Sequence, residues 1–152
     1  VFLQAAIGDA KHLLQTITSD PNVISAFSSD GFTPLHLACF FGQADTVDLL
    51  VNAGAPVNIK TNNSSALSPL HSAAASQSIL IVRKLLSCGA DVDVQQAGGY
   101  TALMSAAAHN NSELLALLQS FGANLAIKDD AGKTAFDHGY DNGYTISSLK
   151  SQ

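Results

Sequence analysis

The strongest constraint on the fold is a four-residue pattern that returns every 33 to 35 residues. A second marker, the pair Gly-Ala, returns with matching spacing at Gly54, Gly89 and Gly122. Two markers with one period predict a solenoid, in which each repeat unit has an apolar face that only its neighbours can cover. The four-residue pattern occurs at Thr33-Pro34-Leu35-His36, Ser68-Pro69-Leu70-His71, Thr101-Ala102-Leu103-Met104 and Thr134-Ala135-Phe136-Asp137.

Each repeat unit reads as a pair of helices. In the second unit, apolar residues at helical spacing follow Thr33, whose hydroxyl can cap the helix, and they end at Gly42. A second apolar helix ends at Gly54, where a residue that tolerates positive φ is favoured. The segments between units, such as residues 91–100, are rich in turn formers. We therefore predict an all-α fold of stacked helix pairs with hairpin-like connectors.

These residues resemble the ankyrin repeat, whose unit reads roughly D-x-x-G-x-T-P-L-H-x-A-A, a glycine, an apolar helix and G-A-D-V-N. The runs at residues 31–39 and 89–93 match it closely. The resemblance covers essentially the whole chain. It implies one ankyrin-repeat domain, residues 1–152, with five helix pairs. The units are at about residues 1–29, 30–61, 62–95, 96–128 and 129–152, and the last is richer in polar residues, as a terminal unit facing water should be.

Two departures from the repeat carry expectations of their own. The connector at residues 60–67 is two residues longer than its counterparts, so we expect this finger to protrude or to be mobile. The glycine after the first helix is replaced by Gln77 in unit three and by Asn110 in unit four. We expect tighter turns there, or turns that tolerate a left-handed residue less well, with Asn110 the easier substitution.

Composition excludes several classes of function. Twelve acidic residues against seven basic ones give a net charge of -5, and Arg83-Lys84 is the only adjacent basic pair, so we expect no nucleic-acid partner. No apolar stretch approaches the roughly 20 residues of a membrane span. Cys39 and Cys88 form no CxxC pair or Cys/His cluster, which favours a reduced compartment and a cytoplasmic location. Because the chain begins at Val1 without Met, we also expect a fragment of a longer protein.

The sequence also lacks the usual signs of catalysis. Asp137-His138 could be part of a triad, but no serine or cysteine stands in a nucleophile-elbow context, and Gly98-Gly99 belongs to no phosphate-binding motif. His12, His109 and His138 have no Cys or carboxylate at a repeated ligand spacing, so we predict no metal, no cofactor and no small-molecule substrate.

The resemblance implies that His36 and His71 are structural, with rings bonded to the backbone near the hairpin. Cys39 and Cys88 are expected to be structural, with Cys88 the more accessible.

The resemblance also implies a binding surface. In ankyrin repeats the residue before the motif's threonine and the two after the Ala-Ala pair line a concave groove, together with the hairpin tips. Aromatic anchors on a rigid surface carry most binding energy, although the alternative for Phe40 and Phe41 is packing against the neighbouring unit. By this mapping the partner-binding residues are Phe32, Phe40, Phe41, Asn62, Asn63, Leu67, Ala75, Ser76, Tyr100, Ala108, His109, Lys133, Asp141 and Asn142.

We therefore predict a monomeric interaction module, not an enzyme, that binds another protein or peptide through the groove and fingers of units two to four. The alternative is a regulatory or targeting domain excised from a larger enzyme or effector protein. A third hypothesis makes the chain a substrate, because Asn58 resembles the asparagine that is hydroxylated in some ankyrin proteins.

Overall fold

The computed structural model describes residues 1–149, apart from the side chain of Ser148. Among these residues there are helices and turns and no strand, so the connectors are turns. Three short 3₁₀ turns lie at Pro21–Ser25, Ala97–Gly99 and Ser147–Leu149. The α-helices are α1 (Phe2–Ile7), α2 (Ala10–Ser19), α3 (Pro34–Phe40), α4 (Ala44–Asn52), α5 (Pro69–Ala75), α6 (Ile79–Ser87), α7 (Ala102–Ala108), α8 (Ser112–Ser120) and α9 (Ala135–Asp141).

The repeated hydroxyl residue starts the first helix of each of units two to five. The side chains of Thr33, Ser68, Thr101 and Thr134 each accept a hydrogen bond from the backbone N–H three residues later. This satisfies one of the donors that a helix start leaves free. The predicted caps at Thr33 and Thr101 are confirmed.

The helices pack in two layers. The first helices α1, α3, α5, α7 and α9 stack one on the next, and the second helices α2, α4, α6 and α8 form the outer layer. Leu50, Leu85 and Leu118 occupy the same position in three successive units and are fully buried between the layers. Burial of one such side chain contributes about 2 kcal/mol to folding. This repeated apolar position explains why the period is so regular.

The fifth unit differs from the prediction of five helix pairs. After α9 the described chain turns at Gly143, with φ +84°, and ends in the 3₁₀ turn rather than in a second α-helix. Ile146 is buried, and its Cδ1 atom would lie 2.9 Å from a Cβ added to Gly139. The absence of a side chain on Gly139 therefore lets Ile146 fold back onto α9. The described residues form four helix pairs and a single fifth helix, and residues 150–152 of the predicted last unit lie outside them.

The expectation of tighter turns in units three and four is wrong. Gln77 and Asn110 have φ values of 57° and 52°, in the same left-handed region as Gly42 at 70°. Gln77 is held there by its own side chain, whose amide donates to the Ala74 carbonyl at 2.6 Å and accepts from the Asn111 amide at 2.9 Å. The turn geometry is therefore kept although the glycine is lost.

The long finger at residues 60–67 is tied to the preceding connector. Its backbone N–H at Asn62 donates to the Gly31 carbonyl at 2.8 Å, and the Asn63 side chain donates to the Asp30 carbonyl at 2.8 Å. Ala66 absorbs part of the extra length by adopting a φ of 48°. The finger thus makes regular inter-unit hydrogen bonds in spite of its two additional residues.

Candidate functional site

One cavity of about 380 Å³ lies where the first helices of units two to five meet the connectors. It contains the largest group of sequence-predicted binding residues, and we refer to it as the groove cavity. Its volume lies in the range of pockets that hold one small ligand or one large side chain. The residues that line it are Phe40, Leu67, His71, Ser72, Ala75, Gln96, Tyr100, Thr101, Met104, Ser105, Ala108 and His138.

Five predicted groove residues line this cavity: Phe40, Leu67, Ala75, Tyr100 and Ala108. Phe40 and Tyr100 remain 54% and 42% exposed, so neither ring is buried by packing against the neighbouring unit. Exposed aromatic rings beside an apolar cavity offer a partner a large contact area. The structure therefore brings residues from three successive units into one place.

The remaining predicted aromatics lie outside the groove cavity. The Phe41 ring is 54% exposed and packs edge-on against Phe40, with centroids 5.2 Å apart. The Phe32 ring is half-buried and contacts the His36 ring at 6.3 Å. Phe41 can extend the apolar surface next to Phe40, whereas Phe32 belongs in part to the packing of unit two.

The polar members of the predicted set are mostly engaged in local interactions. None of these residues lines the groove cavity, although Ser76 and His109 directly follow lining residues in the chain, and we refer to the polar set as the rim of the groove. The Ser76 hydroxyl donates to Ala73 O, His109 Nδ1 contacts Ser105 O, Lys133 pairs with Asp141, and Asn142 donates to His138 O. The Asn63 side chain donates a hydrogen bond to Asp30 O, while Asn62 is exposed.

The floor of the groove cavity includes residues that the sequence prediction missed. Ser72, Ser105 and His138 all stand directly after the fourth residue of the repeated pattern, one in each of units three to five. Ser72 is only 2% exposed, and its hydroxyl has no hydrogen-bond partner in the described structure. This position differs between units while its neighbours repeat. That variation is the sequence signal by which these cavity residues could have been found.

His138 is oriented by a carboxylate, but not by the adjacent Asp137. Its Nε2 atom lies 2.7 Å from Asp129 Oδ2, while Asp137 caps α9 through Thr134. The backbone N–H of Lys133 lowers the pKa of Asp129, with further contributions from His138 and from the N–H of Ala131. Asp129 is therefore ionised at neutral pH and holds the imidazole beside the cavity. The structure describes no hydrogen bond between His138 and either serine, as a nucleophile–base pair would require.

His36 and His71 are structural, as predicted. In His36 the Nε2 atom lies 2.9 Å from Leu67 O, and in His71 it lies 3.0 Å from Tyr100 O. The Nδ1 atoms accept from the N–H groups of Thr33 and Ser68 at 3.3 and 3.1 Å. Each ring is therefore neutral with its proton on Nε2. Burial lowers the pKa of both histidines, although the carbonyl acceptors oppose this shift.

Other chemically notable residues have clear structural surroundings. Cys39 is buried, which raises the pKa of its thiol, and Cys88 is exposed as expected. The side-chain amide of Asn58 joins two units, because it donates to Gly89 O at 2.9 Å and accepts from Asp91 N at 2.8 Å.

Within residues 1–149 no group of three or more potential metal ligands comes together. None of the described helices is long and apolar enough to cross a membrane.

Comparison with known proteins gives one consistent result. The family model described as ankyrin repeats, in three copies, matches residues 2–96 and 70–148. The ankyrin repeat and SAM domain-containing protein 6 of Mus musculus is 36% identical over 138 residues, which are 90% of this chain and 12% of that protein. The tyrosine-protein kinase Shark of Drosophila melanogaster is 34% identical over 121 residues, 79% of this chain and 13% of the kinase.

A third relative comes from a different class of protein. The transient receptor potential cation channel subfamily A member 1 of Homo sapiens is 36% identical over 120 residues, 77% of this chain and 10% of the channel. The chain thus spans only about a tenth to an eighth of the length of these three relatives.

Proposed function

This chain belongs to the ankyrin-repeat family, and from that premise we propose that it binds a segment of a partner protein in the groove cavity. Ankyrin repeats are generally protein-interaction modules. The observation that carries the proposal is the position of Phe40, Leu67 and Tyr100 around one cavity, with both aromatic rings about half exposed. Interaction sites characteristically combine such anchors with a pocket that excludes water.

The proposed binding surface extends further along the stack than units two to four. His138 of unit five lines the same cavity, and its ring lies 5.4 Å from the ring of Tyr100. We therefore propose that the partner segment crosses from Phe41 and Phe40, past Tyr100, to His138. In this proposal the chain acts by occupancy as a monomer, without a cofactor, a small-molecule substrate, nucleic acid or a membrane, and in the cytoplasm.

The test begins with affinity capture by the purified chain followed by mass spectrometry. With a captured partner in hand, Phe40→Ala and Tyr100→Ala should each weaken binding about tenfold or more, because truncation of a buried aromatic anchor costs about 2 kcal/mol. Phe121→Ala is the matched control, since Phe121 is 39% exposed but does not line the groove cavity. Circular dichroism should show the same helical signal for all three variants. Equal loss of binding for Phe121→Ala, or none for the two cavity variants, would contradict the proposal.

A second candidate is that the chain is a regulatory or targeting domain of a larger protein. The kinase and the channel among its relatives are both much longer than the matched region, which supports this alternative. The two candidates are compatible, because a domain of this kind acts through binding. The complete open reading frame around this sequence would decide it: an adjoining catalytic or channel domain supports the alternative, and its absence contradicts it.

A further inference from the structure

We propose that the groove cavity receives the phenol ring of a partner's tyrosine, with the ring against the apolar walls and the hydroxyl bonded to Ser72. The inference rests on the proposed function and specifies the chemistry that the partner must present. Its basis is the contrast between the walls and the floor of the cavity.

The walls of the groove cavity suit an aromatic ring. Phe40, Leu67 and Tyr100 surround the cavity together with Met104 of α7, and Ala75 and Ala108 leave room between the first helices. Because both residues are alanines, they leave open a space that a larger side chain at either position would fill. A flat apolar group inserted here would be covered by side chains from units two to four, and removing its surface from water is favourable.

The Ser72 hydroxyl, on the floor of the groove cavity, lacks a hydrogen-bond partner. A serine inside a helix commonly bonds back to the carbonyl four residues earlier, but the Ser72 hydroxyl has no such partner. The hydroxyl oxygen itself has almost no accessible surface, so the Ser72 side chain must rotate toward the cavity for an occupant to reach it. Because a buried hydroxyl without a partner is unfavourable, an occupant that donates to it or accepts from it then gains affinity. A phenylalanine ring would leave this hydroxyl unpaired, whereas a phenol hydroxyl can both donate and accept.

Charged occupants are disfavoured by the surroundings of His138. The carboxylate of Asp129, 2.7 Å from the imidazole, would repel an acidic group placed beside that ring. The same carboxylate already accepts from the N–H groups of Ala131 and Lys133 and contacts His138, so it offers little to a cationic group. Among the described residues, His71 is the one other basic side chain that lines the cavity, and its neutral ring is already bonded to the backbone. A neutral aromatic group with a hydroxyl therefore matches the site better than a charged side chain does.

The test uses p-cresol and toluene as the side-chain analogues of tyrosine and phenylalanine. Amide chemical shifts of the full chain, recorded by NMR during titration, should move at Ser72, Tyr100 and Ser105 and yield an affinity for each analogue. The ratio of p-cresol to toluene affinity should fall about threefold to tenfold in Ser72→Ala, the range expected for one net hydrogen bond. Ser120→Ala is the matched control, because its hydroxyl is already bonded to Leu117 O and Ser120 does not line the groove cavity, and it should leave the ratio unchanged.

The proposal is overturned if p-cresol does not bind at these residues, or if Ser72→Ala leaves the affinity ratio as it is in the unchanged chain. Unfolding of Ser72→Ala would be visible as loss of amide dispersion, and Ser72→Cys then provides a second variant with a weak donor, for which a partial fall in the ratio is expected. Failure here is distinguishable from failure of the proposed function. If neither analogue binds but a captured partner still depends on Phe40 and Tyr100, the groove function stands and only the tyrosine assignment is wrong.

Discussion

At the scale of single residues, the imidazole of His36 connects three parts of the chain. Its Nδ1 atom accepts from the Thr33 N–H, and its Nε2 atom donates to the Leu67 carbonyl of the next connector. Because the ring is fully buried, its two nitrogen atoms have no access to water as an alternative partner. His71 repeats the arrangement one unit later with Ser68 and Tyr100. These rings fix the connectors that carry the groove residues.

Removal of either ring should destabilise the fold. We expect His36→Ala and His71→Ala each to lower the free energy of unfolding by about 1–3 kcal/mol, because buried backbone groups lose their partners. Urea denaturation followed by circular dichroism measures this. His109→Ala is the control, since His109 is exposed, and it should change stability by less than about 0.5 kcal/mol. Unchanged stability in both buried variants would show that these rings are not structural.

The same two histidines should make stability depend on pH. Burial holds the pKa of His36 and His71 below the ordinary value of 6.5, so the unfolded chain takes up protons before the folded chain does. Their contribution to stability is therefore complete above pH 6.5 and is lost as the pH falls from there through the folded pKa. Denaturation between about pH 7.5 and about pH 5 should show a falling free energy of unfolding, by at most about 1.4 kcal/mol per pH unit for each ring.

The aspartates do not obscure this effect. The pKa values of Asp9, Asp129 and Asp137 are lowered below 3.8, first by backbone hydrogen bonds, so their stabilising contribution is lost only at more acidic pH. His36→Ala should flatten the dependence between about pH 7.5 and about pH 5, and His109→Ala should leave it unchanged. A slope that is the same in all three proteins would contradict the assignment.

For single residues, the sequence predicts the role of a side chain that repeats between units better than the role of one that varies. The hydroxyl caps and the structural histidines follow from identical positions in successive units. Ser72 and His138 could not be recognised in that way, because their role depends on the side chains that the stack places beside them. The pairing of His138 with Asp129 joins a helix to its own preceding connector across nine residues, whereas sequence adjacency points to Asp137.

At the scale of elements, the turn after each first helix requires a residue in the left-handed region. Gly42 meets this requirement with φ 70°, and no atom lies within 4 Å of a Cβ added there. Gly42→Ala should therefore cost about 1 kcal/mol through backbone conformation alone, without a steric clash. Urea denaturation is the measurement. No loss of stability in Gly42→Ala would mean that the turn adjusts.

The equivalent change in unit three should have the opposite sign. Gln77 occupies the left-handed region with φ 57°, so Gln77→Gly removes a strained conformation worth about 1 kcal/mol. It also removes the side-chain hydrogen bonds to Ala74 O and to the Asn111 amide, which offsets part of the gain. We expect a net change in the free energy of unfolding between zero and about 1 kcal/mol of stabilisation. A clear destabilisation in urea would show that the side-chain hydrogen bonds outweigh the strain.

Element types followed from the sequence wherever an apolar helix pattern was complete. The predicted helix pairs of units two to four correspond to α3 through α8 because their second helices carry leucine or valine at helical spacing. In unit five the segment after α9 contains Gly143, Thr145 and Ile146 and lacks this spacing. Extending the period to the end of the chain therefore predicted a helix that the local residues do not favour.

At the scale of the whole molecule, most residues that build the stack differ from those that line the groove cavity. The repeated leucines and most of the caps build the stack, and positions that vary between units, such as Ser72, Ser105 and His138, line the groove cavity. A chain with 47% hydrophobic residues can bury a continuous core in this way and still display aromatic rings at one cavity. Among the described residues, the cavity lining contains no Asp, Glu, Lys or Arg side chain, and its titratable groups are His71, Tyr100 and His138.

This separation predicts how partner binding should respond to charge. Lys133 lies on the rim, half exposed and paired with Asp141, so its removal takes away an interaction that solvent already screens. With a captured partner, Lys133→Ala should change affinity less than about threefold, and affinity should change little between about 0.05 M and about 0.5 M NaCl. Tyr100→Ala, measured in parallel by isothermal titration calorimetry, should cost about tenfold or more. A dominant effect of Lys133→Ala, together with a steep salt dependence, would instead place the binding energy in the charged rim and refute recognition through the aromatic cavity.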